Sequence, residues 1–378
     1  MNYSKIISSW VEVSQSALEH NIALYKSVIG PVKLAIVIKS NAYGCDLCLV
    51  GKLLDANQLV DYLCVSSLTE AVFLRELGLK KSILVLSVLD CDLQQAVINP
   101  IDLTVFDLKT VLELNRLGEL HQKKVKIHVK IDTGMSRLGL FHDQVLSFIK
   151  AILKLKFIEI IGIFTHYAAS DRSDLTSLEK QAGIFNQVIL DLEKHEIAIP
   201  IKHTANTAAI TADCLTHFNM VRVGIGVYGM WPSPENQLLT QAQYPDFVLK
   251  PVLTWKTRIL TIKELPIGSY VGYDQAYQTT KPAKIATIPV GYYEGYDRRL
   301  SNQGQVLING CLVPVVGKVA MNLTMVDVTG VDAVVGDEVT LIGHQVGVQP
   351  DDLAQICQTA NTEITAKINP LINRKIVL

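Results

Sequence analysis

Residues 34–44 of the chain read LAIVIKSNAYG, an apolar run that ends at Lys39 and passes at once into a small polar turn. An unbroken apolar run of this length predicts a strand buried on both faces. We therefore expect the stem of Lys39 to lie in a packed interior and its amine to reach the edge of the fold. Burial lowers the pKa of a lysine, and a neutral amine can form a Schiff base with an aldehyde. A surface lysine that merely ends a strand explains these residues equally well.

The same unit, a short apolar strand followed by an amphipathic helix, recurs along the first two-thirds of the chain. Residues 68–77 carry apolar side chains at helical spacing, and Gly78 is expected to end that helix. The predicted strands span residues 34–39, 62–66, 82–87, 102–106, 125–131, 158–164, 200–204 and 221–225. Such a series over roughly 200–250 residues predicts an α/β fold of the (β/α)8 barrel type, with a doubly wound parallel sheet as the alternative.

The pattern changes near residue 231, where WPSP (231–234) punctuates the chain and helical periodicity largely ends. Short strands and turns are predicted beyond it, at residues 252–257, 284–290, 305–308 and 338–342, with a final helix over about 350–368. We predict a barrel domain over residues 1–235 and a mostly-β domain over residues 236–378. Residues 1–14 are expected to pair with the second domain.

Composition narrows the class of protein. Among 378 residues, 49% are hydrophobic and 19% charged, which is a globular balance that suits two domains. The net charge of −1 and the lack of a basic block argue against a nucleic-acid partner. The sequence contains no apolar span of membrane length, so we expect a cytoplasmic protein.

The seven cysteines are scattered and odd in number, which favours reduced thiols. Cys45 and Cys48 have CxxC spacing, but a second pair or a nearby pair of histidines is missing. We therefore predict no metal site.

Polar residues follow several of the predicted barrel strands, at the end where barrel enzymes carry their chemistry. They are Lys39, Tyr43, Lys130, Asp132, Arg137, His166, His203, Asn206, Thr207 and Arg222. The amides of Gly224 and Ile225, together with Thr207 and Tyr43, can hold a phosphate, and phosphate sites near the last two strands recur in this fold. Taken by themselves, Gly224 and Gly226 are explained equally well by a simple turn.

Several motifs together resemble the alanine racemase family, whose members use pyridoxal phosphate. They are KSNAYG (39–44), IDTGMSRLG (131–139), THYA (165–168), ANTA (205–208), VRVGI (221–225), VGYD (271–274), PVGY (289–292) and MNLTMVDV (321–328). The match covers nearly the whole chain and keeps the order and spacing of the family.

The resemblance implies a racemase that interconverts L- and D-alanine and supplies D-amino acids for peptidoglycan. Racemisation removes a proton from one face of the α-carbon and returns one to the other, so two bases are expected. By resemblance these are Lys39, which also carries the cofactor, and Tyr273, contributed by the partner subunit of a homodimer with shared active sites.

Further roles follow from the resemblance alone. Cofactor binding falls to Lys39, Tyr43, His166, Asn206, Thr207, Arg222, Gly224, Ile225 and Thr362, and substrate binding to Arg137, Met321 and Tyr292. His166 and Arg222 resemble the groups that support the tyrosine base. Lys130 matches a position that is carbamylated in several family members, and an unmodified lysine paired with Asp132 is the alternative.

Three positions depart from the family pattern. Cys45-Asp46 stands where His-Gly is usual, Asn322 replaces an aspartate, and Thr362 replaces a tyrosine that narrows the mouth of the active site. We therefore expect a wider and more polar pocket that accepts serine or another small amino acid, because hydrophobic pockets discriminate one methylene by only about 1–3 kcal/mol.

Two alternatives stay open. One is a pyridoxal-phosphate amino-acid decarboxylase of the same fold type, although the motif around Tyr273 favours racemisation. The other is a non-catalytic pyridoxal-phosphate carrier, although such carriers usually lack a second domain.

Overall fold

Eight parallel strands form a nearly closed barrel in the part of the chain that this computed structural model describes, residues 6–212 and 216–378. The strands are β2 (Lys33–Val37), β3 (Tyr62–Ser67), β4 (Ser82–Val88), β5 (Asp102–Val105), β6 (Val125–Asp132), β8 (Ile158–Phe164), β9 (Ile201–His203) and β10 (Met220–Val223), while β1 (Ile6–Ser14) lies outside the barrel and β7 (Leu140–Phe141) pairs with β6. Hydrogen bonds join the barrel strands in the order β10-β2-β3-β4-β5-β6-β8-β9. A bond from Arg222 N to Ala205 O, 3.0 Å long, links the two ends of this series. The predicted barrel is confirmed, and the doubly wound sheet is wrong.

Helices and single turns connect these strands. They are α1 (Gln15–Ile29), α2 (Lys39–Tyr43), α3 (Leu47–Ala56), α4 (Leu68–Glu76), α5 (Gln94–Ile98), α6 (Leu108–His121), α7 (His142–Ile152), α8 (Thr176–Lys194), α9 (Thr207–Ala212) and α10 (Pro234–Gln243). The start of α4 illustrates how the sequence fixes a helix boundary. The Ser67 hydroxyl accepts from Glu70 N at 3.2 Å, and the Glu70 carboxylate accepts from Ser67 N at 3.3 Å. This capping box satisfies amides that the first turn leaves unpaired.

The interior of the barrel is divided into an apolar and a polar side. Ala35, Cys64, Leu84 and Met220 belong to a buried apolar cluster. The buried polar residues of the barrel strands are Asp102, Thr104, His128, Lys130, His203 and Arg222. Residues two positions apart on a strand face the same way, and Thr104 on β5 lies directly across from His128 on β6. The polar side chains of β5 and β6 are therefore neighbours inside the barrel.

The second part of the chain is mostly strand. Its strands are β11 (Leu253–Arg258), β12 (Thr261–Leu265), β13 (Tyr270–Val271), β14 (Tyr277–Gln278), β15 (Ala283–Ile288), β16 (Gln305–Ile308), β17 (Cys311–Pro314), β18 (Thr324–Asp327), β19 (Glu338–Ile342) and β20 (Ile372–Val377). They form a six-stranded sheet, β17-β16-β19-β11-β1-β20, a three-stranded sheet, β12-β15-β18, and the hairpin β13-β14. Strand β1 thus joins this part, antiparallel to β11 and parallel to β20.

The predicted single helix over about 350–368 is wrong. Two helices, α11 (Pro350–Cys357) and α12 (Asn361–Ala366), occupy this stretch. The chain turns at Gln358, whose φ of 49° is left-handed and ends α11. Within the described ranges, every helix is too short or too polar to cross a bilayer.

Candidate active site

A cavity of about 320 Å³ opens at the carboxyl ends of the barrel strands. Most of the residues that the sequence predicted for the site line it: Lys39, Tyr43, Lys130, Arg137, His166, Asn206, Thr207, Arg222, Gly224 and Ile225. They come from five different strand ends, so the barrel brings together side chains that are far apart in sequence.

Lys39 begins a left-handed turn and does not end a strand. The sequence predicted a strand over 34–39, whereas β2 ends at Val37. Ser40, Asn41, Ala42 and Tyr43 have φ between 52° and 56°, which non-glycine residues rarely adopt. This turn returns the chain so that Lys39 and Tyr43 both line the cavity.

The turn is tied to its neighbours by specific hydrogen bonds. Glu70 Oε1 accepts from Ser40 N at 2.8 Å, and Asn41 Oδ1 accepts from Leu47 N at 2.9 Å. Gly44 closes the turn with φ 92°, and a Cβ there would lie 2.1 Å from Thr365 O on α12. The conformation that presents Lys39 is therefore held by α4 on one side and α12 on the other.

The amine of Lys39 is electrostatically set toward its neutral form. Burial lowers its pKa, and the nearby positive charge of Arg137 lowers it further, while Glu70 opposes them. A neutral amine is both a nucleophile and a proton acceptor.

One wall of the cavity offers hydrogen-bond donors at a narrow place. Thr207 Oγ1 accepts from Gly224 N at 2.9 Å, so its own hydrogen remains available to a ligand. A Cβ on Gly224 would lie 2.5 Å from the Tyr43 hydroxyl oxygen, which explains the glycine. The Tyr43 ring stacks on Tyr228 with centroids 4.7 Å apart. The hydroxyls of Thr207 and Tyr43 thus lie on the same wall around Gly224, where their hydrogens can bind an oxyanion.

Arg222 forms the floor of the cavity and is held from several sides. Its Nη1 lies 2.7 Å from His203 Nδ1, and its Nη2 donates to Thr165 O at 2.8 Å and to Thr204 O at 3.0 Å. Burial lowers its pKa to about 10, so the guanidinium stays charged at neutral pH. A guanidinium so fixed donates hydrogen bonds in set directions.

His166 is a neutral imidazole beside this cation. Burial and the charge of Arg222 lower its pKa well below the ordinary value. Its Nδ1 lies 3.3 Å from Arg222 Nη2, and a hydrogen on Nδ1 would point at that cationic donor, so Nε2 carries the hydrogen.

Lys130 is buried near the positive charges of Arg222 and Arg137. Burial, Arg222 and Arg137 lower its pKa well below that of a free lysine, and its Nζ lies 4.2 Å from the centroid of the Phe164 ring. Asp132 Oδ1 accepts from the amides of Gly134 and Ser136, at 2.9 and 3.0 Å. The carboxylate therefore shapes the loop that carries Arg137.

Within the described part of the chain, four predicted site residues are not part of the cavity lining: Tyr273, Tyr292, Met321 and Thr362. The side chain of Tyr273 is 67% exposed, and Tyr292 and Met321 are also exposed on the β domain. Thr362 is half-buried on α12. The barrel of one chain thus brings together the predicted cofactor residues apart from Thr362. The predicted site residues Tyr273, Tyr292 and Met321 of the β domain are exposed to solvent.

Two residues of the site region were missed by sequence reasoning. Ser170 is buried at the cavity, and its hydroxyl donates to Asn206 Oδ1 at 2.8 Å. Its position shortly after the THYA motif was the only available signal. Glu70, which holds the amide after Lys39, lies in the helix predicted over residues 68–77 and gave no separate signal in the sequence.

Two family models match most of the chain. One is described as alanine racemase, N-terminal domain, over residues 13–232, and the other as alanine racemase, C-terminal domain, over residues 252–376. The chain belongs to the alanine racemase family. The resemblance predicted from the motifs is confirmed.

Relatives in the alanine racemase family match the chain almost end to end. Alanine racemase 2 of Caldanaerobacter subterraneus subsp. tengcongensis is 40% identical over 379 residues, covering 98% of this chain and 95% of the relative. The alanine racemase of Clostridium difficile 630 has a similar structure, with a TM-score of 0.91 and 32% identity, covering 98% of this chain and 96% of that one. A structure of alanine racemase from Bartonella henselae with covalently bound pyridoxal phosphate has a TM-score of 0.83 and 25% identity, covering 98% and 99%.

Proposed function

We propose that this protein is a pyridoxal-phosphate-dependent racemase that interconverts L- and D-alanine and so supplies D-alanine for peptidoglycan. The observation that carries the proposal is the shared cavity of Lys39, Arg222 and the donor-lined wall around Thr207. An amine with a lowered pKa, a fixed cation and an oxyanion cradle are the groups that an aldehyde cofactor with a phosphate requires. Family membership supports the same assignment.

The residues present fit pyridoxal phosphate. Lys39 would hold its aldehyde carbon, and Tyr43, Thr207 and the Ile225 amide would hold its phosphate, beside Gly224, whose own amide donates to Thr207 Oγ1. The close approach of the Tyr43 hydroxyl to Gly224 leaves that wall accessible only because residue 224 lacks a Cβ. When bound, this cofactor acidifies the α-hydrogen of an amino acid by withdrawing electrons.

Lys39 serves as the base on one face of the substrate. Burial and Arg137 keep its Nζ neutral over a wider pH range than a free lysine, so the amine accepts the α-proton and later returns one. Arg222 retains its protons and donates hydrogen bonds without transferring a proton to the site.

Tyr273 serves as the base on the opposite face. Its exposure on the β domain supports a role in the cavity of a second subunit, as the family resemblance implies. His166 carries its hydrogen on Nε2, so it can donate to a phenolate oxygen that enters the cavity, and the charge of Arg222 behind it stabilises that anion. The two bases then act from opposite sides of the α-carbon.

Arg137 binds the carboxylate of the substrate, and a carbamate on Lys130 orients it. Reaction with carbon dioxide requires an uncharged amine, and burial beside two guanidinium groups supplies one at Lys130. The carbamate would carry a negative charge between Arg137 and Arg222. Carbon-13 NMR of the protein in labelled bicarbonate tests this: a carbamate signal that Lys130→Met abolishes is expected, and a spectrum without that signal contradicts it.

The substrate range extends to serine. Threonine at 362 is smaller than the tyrosine usual in the family, and Met321 and Tyr292 complete the mouth of the partner's site. Asn322 Nδ2 donates a hydrogen bond to Glu294 Oε1 at 2.8 Å. An amide therefore lies beside the Glu294 carboxylate, at the position where the family pattern has an aspartate. We expect Thr362→Tyr to lower kcat/KM for L-serine relative to L-alanine by about tenfold. A strong preference for alanine that Thr362→Tyr leaves unchanged would remove this part of the proposal.

Chiral analysis of the products from L-alanine and L-serine tests the main proposal. The racemase predicts accumulation of the D-enantiomer without release of carbon dioxide. Carbon dioxide release would instead support the decarboxylase, and binding of pyridoxal phosphate without turnover would support the carrier.

A further inference from the structure

Four polar residues run through the barrel interior beneath the cavity: Arg222, His203, His128 and Asp102, here called the interior column. All four are buried. Arg222 lines the cavity, whereas Asp102 is the first residue of β5 and so lies toward the amino-terminal end of the barrel. The column therefore leads from the candidate site into a region where (β/α)8 barrels ordinarily carry apolar packing.

The direction of each hydrogen bond in the column can be inferred by starting from Arg222. A guanidinium can only donate, so His203 Nδ1, 2.7 Å from Arg222 Nη1, must be the unprotonated nitrogen. Burial and Arg222 lower the pKa of His203 well below its ordinary value, so the ring is neutral and carries its hydrogen on Nε2. That Nε2 lies 3.0 Å from His128 Nδ1 and donates to it. His128 in turn must accept at Nδ1 and carry its own hydrogen on Nε2.

The column ends in two groups that face each other. His128 Nε2 lies 3.9 Å from Asp102 Oδ2, too long for a direct hydrogen bond but close enough for a strong electrostatic contact. Both atoms are fully buried and lack a hydrogen-bond partner among the described residues. Burial and Asp102 raise the pKa of Tyr62, whose ring packs edge-on against His128 with centroids 6.3 Å apart. The neighbouring phenol therefore stays protonated.

Packing alone does not account for this arrangement. A buried polar atom without a hydrogen bond destabilises a fold, and such atoms are rare in native proteins. The chain also keeps Gly162 opposite His128, where a Cβ would lie 1.9 Å from the Nδ1 atom of the ring. Gly162 on β8 thus leaves space for the His128 ring. An apolar side chain in place of this ring would bury no unpaired polar atom.

We propose that His128 and Asp102 are positioning residues, which fix His203 as the acceptor at Nδ1 and thereby fix the orientation in which the Arg222 guanidinium faces the cavity. A His203 ring carrying its hydrogen on Nδ1 would point it at the guanidinium and push Arg222 away. The acceptor at His128 Nδ1 favours the correct tautomer, and the Asp102 carboxylate favours the hydrogen on His128 Nε2.

The kinetic consequences rest on the proposed racemase function. In the holoenzyme, His128→Leu removes the acceptor for His203 and is expected to lower kcat by about tenfold with little change in KM, the effect of losing one hydrogen bond linked to a charged group. His128→Asn keeps an oxygen near the position of Nδ1 and should stay within about threefold of wild type. Asp102→Asn, at the far end of the column, should lower kcat by about threefold. Equal losses in the Leu and Asn variants at 128 would show a packing role and overturn the proposal.

A direct readout does not require turnover. Nitrogen-15 NMR of histidine-labelled wild-type holoenzyme distinguishes the ring tautomers, and His128→Asn together with His203→Gln assigns the two buried rings. We expect both rings to carry their hydrogen on Nε2, with Nδ1 unprotonated, as the bonds from Arg222 to His203 and from His203 to His128 require. A hydrogen on Nδ1 of His203, or a charged ring, would overturn the proposal. Because this measurement does not depend on racemisation, it stands or fails separately from the proposed function.

Discussion

The two residues proposed to exchange the α-proton lie in opposite surroundings. Lys39 lines the barrel cavity, burial lowers its pKa, and the next amide is held by Glu70 Oε1 at 2.8 Å. Tyr273 lies on a short turn of the β domain after Gly272, whose φ is 76°, and its side chain is 67% exposed. The barrel half of the site is therefore organised within one chain, whereas the half carried by the β domain depends on what a second copy supplies.

The largest effect is expected at the barrel half. Lys39→Ala removes both the group that would hold the cofactor and the base on one face, so racemisation of L-alanine should fall by at least about 10⁴-fold. Polarimetry or chiral chromatography measures this. Lys33→Ala is the matched control, because Lys33 begins β2, the strand that leads to Lys39, and is exposed beside Asp61. Substantial activity in Lys39→Ala would remove the proposed role.

The half carried by the β domain should be almost as sensitive. Tyr273→Phe keeps the ring and removes the phenolic oxygen, and we expect a loss of about 10²–10⁴-fold in kcat, the range for a general acid or base. Tyr270→Phe, at another exposed tyrosine of the same region, should leave kcat unchanged.

Mixing the two inactive variants separates the halves. A hybrid dimer of Lys39→Ala and Tyr273→Phe contains one site with both defects and one with neither. Activity should therefore return as subunits exchange. If exchange is demonstrated by mass labels and activity stays absent, Tyr273 does not act across a subunit boundary.

A moderate effect is expected at the cradle in the barrel half. Thr207→Val removes the hydroxyl that accepts from Gly224 N and would donate to the phosphate, so the Kd for pyridoxal phosphate should rise by about three- to tenfold. Thr207→Ser keeps the hydroxyl and should bind as wild type does. Equilibrium dialysis of the cofactor gives both values, and equal affinities in the Val and Ser variants would contradict the cradle.

The smallest effect is a shift in pH dependence. The charge of Arg137 lowers the pKa of Lys39, so Arg137→Gln should raise that pKa. The rate at which the apoprotein takes up pyridoxal phosphate should then reach half of its maximum at a higher pH. Uptake requires the neutral amine, so the rate rises with pH in both proteins. A midpoint that stays fixed or moves to lower pH in Arg137→Gln would show that its charge does not act on Lys39.

Sequence patterns sufficed for the barrel because apolar strands and amphipathic helices are local features. The strand predicted at 158–164 has these bounds in the structure. Patterns failed where one residue reverses the backbone. Gln358 breaks the predicted C-terminal helix with a left-handed φ of 49°, although glutamine favours helices and is not a residue type that signals such a turn. The polar turn after Lys39 was predicted, but the strand before it ends at Val37 and not at residue 39.

The site was predictable where polar residues follow strands and where motifs resemble a family. The interior column was not, because Asp102 looks like the start of an ordinary strand and its partner His128 lies on another strand. Such contacts depend on the register between strands, which single-sequence periodicity does not contain.

Strand β1 also constrains the order in which the protein can form during synthesis. It lies between β11 and β20, with Val13 across from both Leu253 and Ile376. The barrel strands through β10 leave the ribosome before either partner of β1 has been made, so the barrel can assemble while β1 still has two unpaired edges. The six-stranded sheet closes only when β20 emerges, so both edges of β1 are paired only after residues 372–377 have been translated.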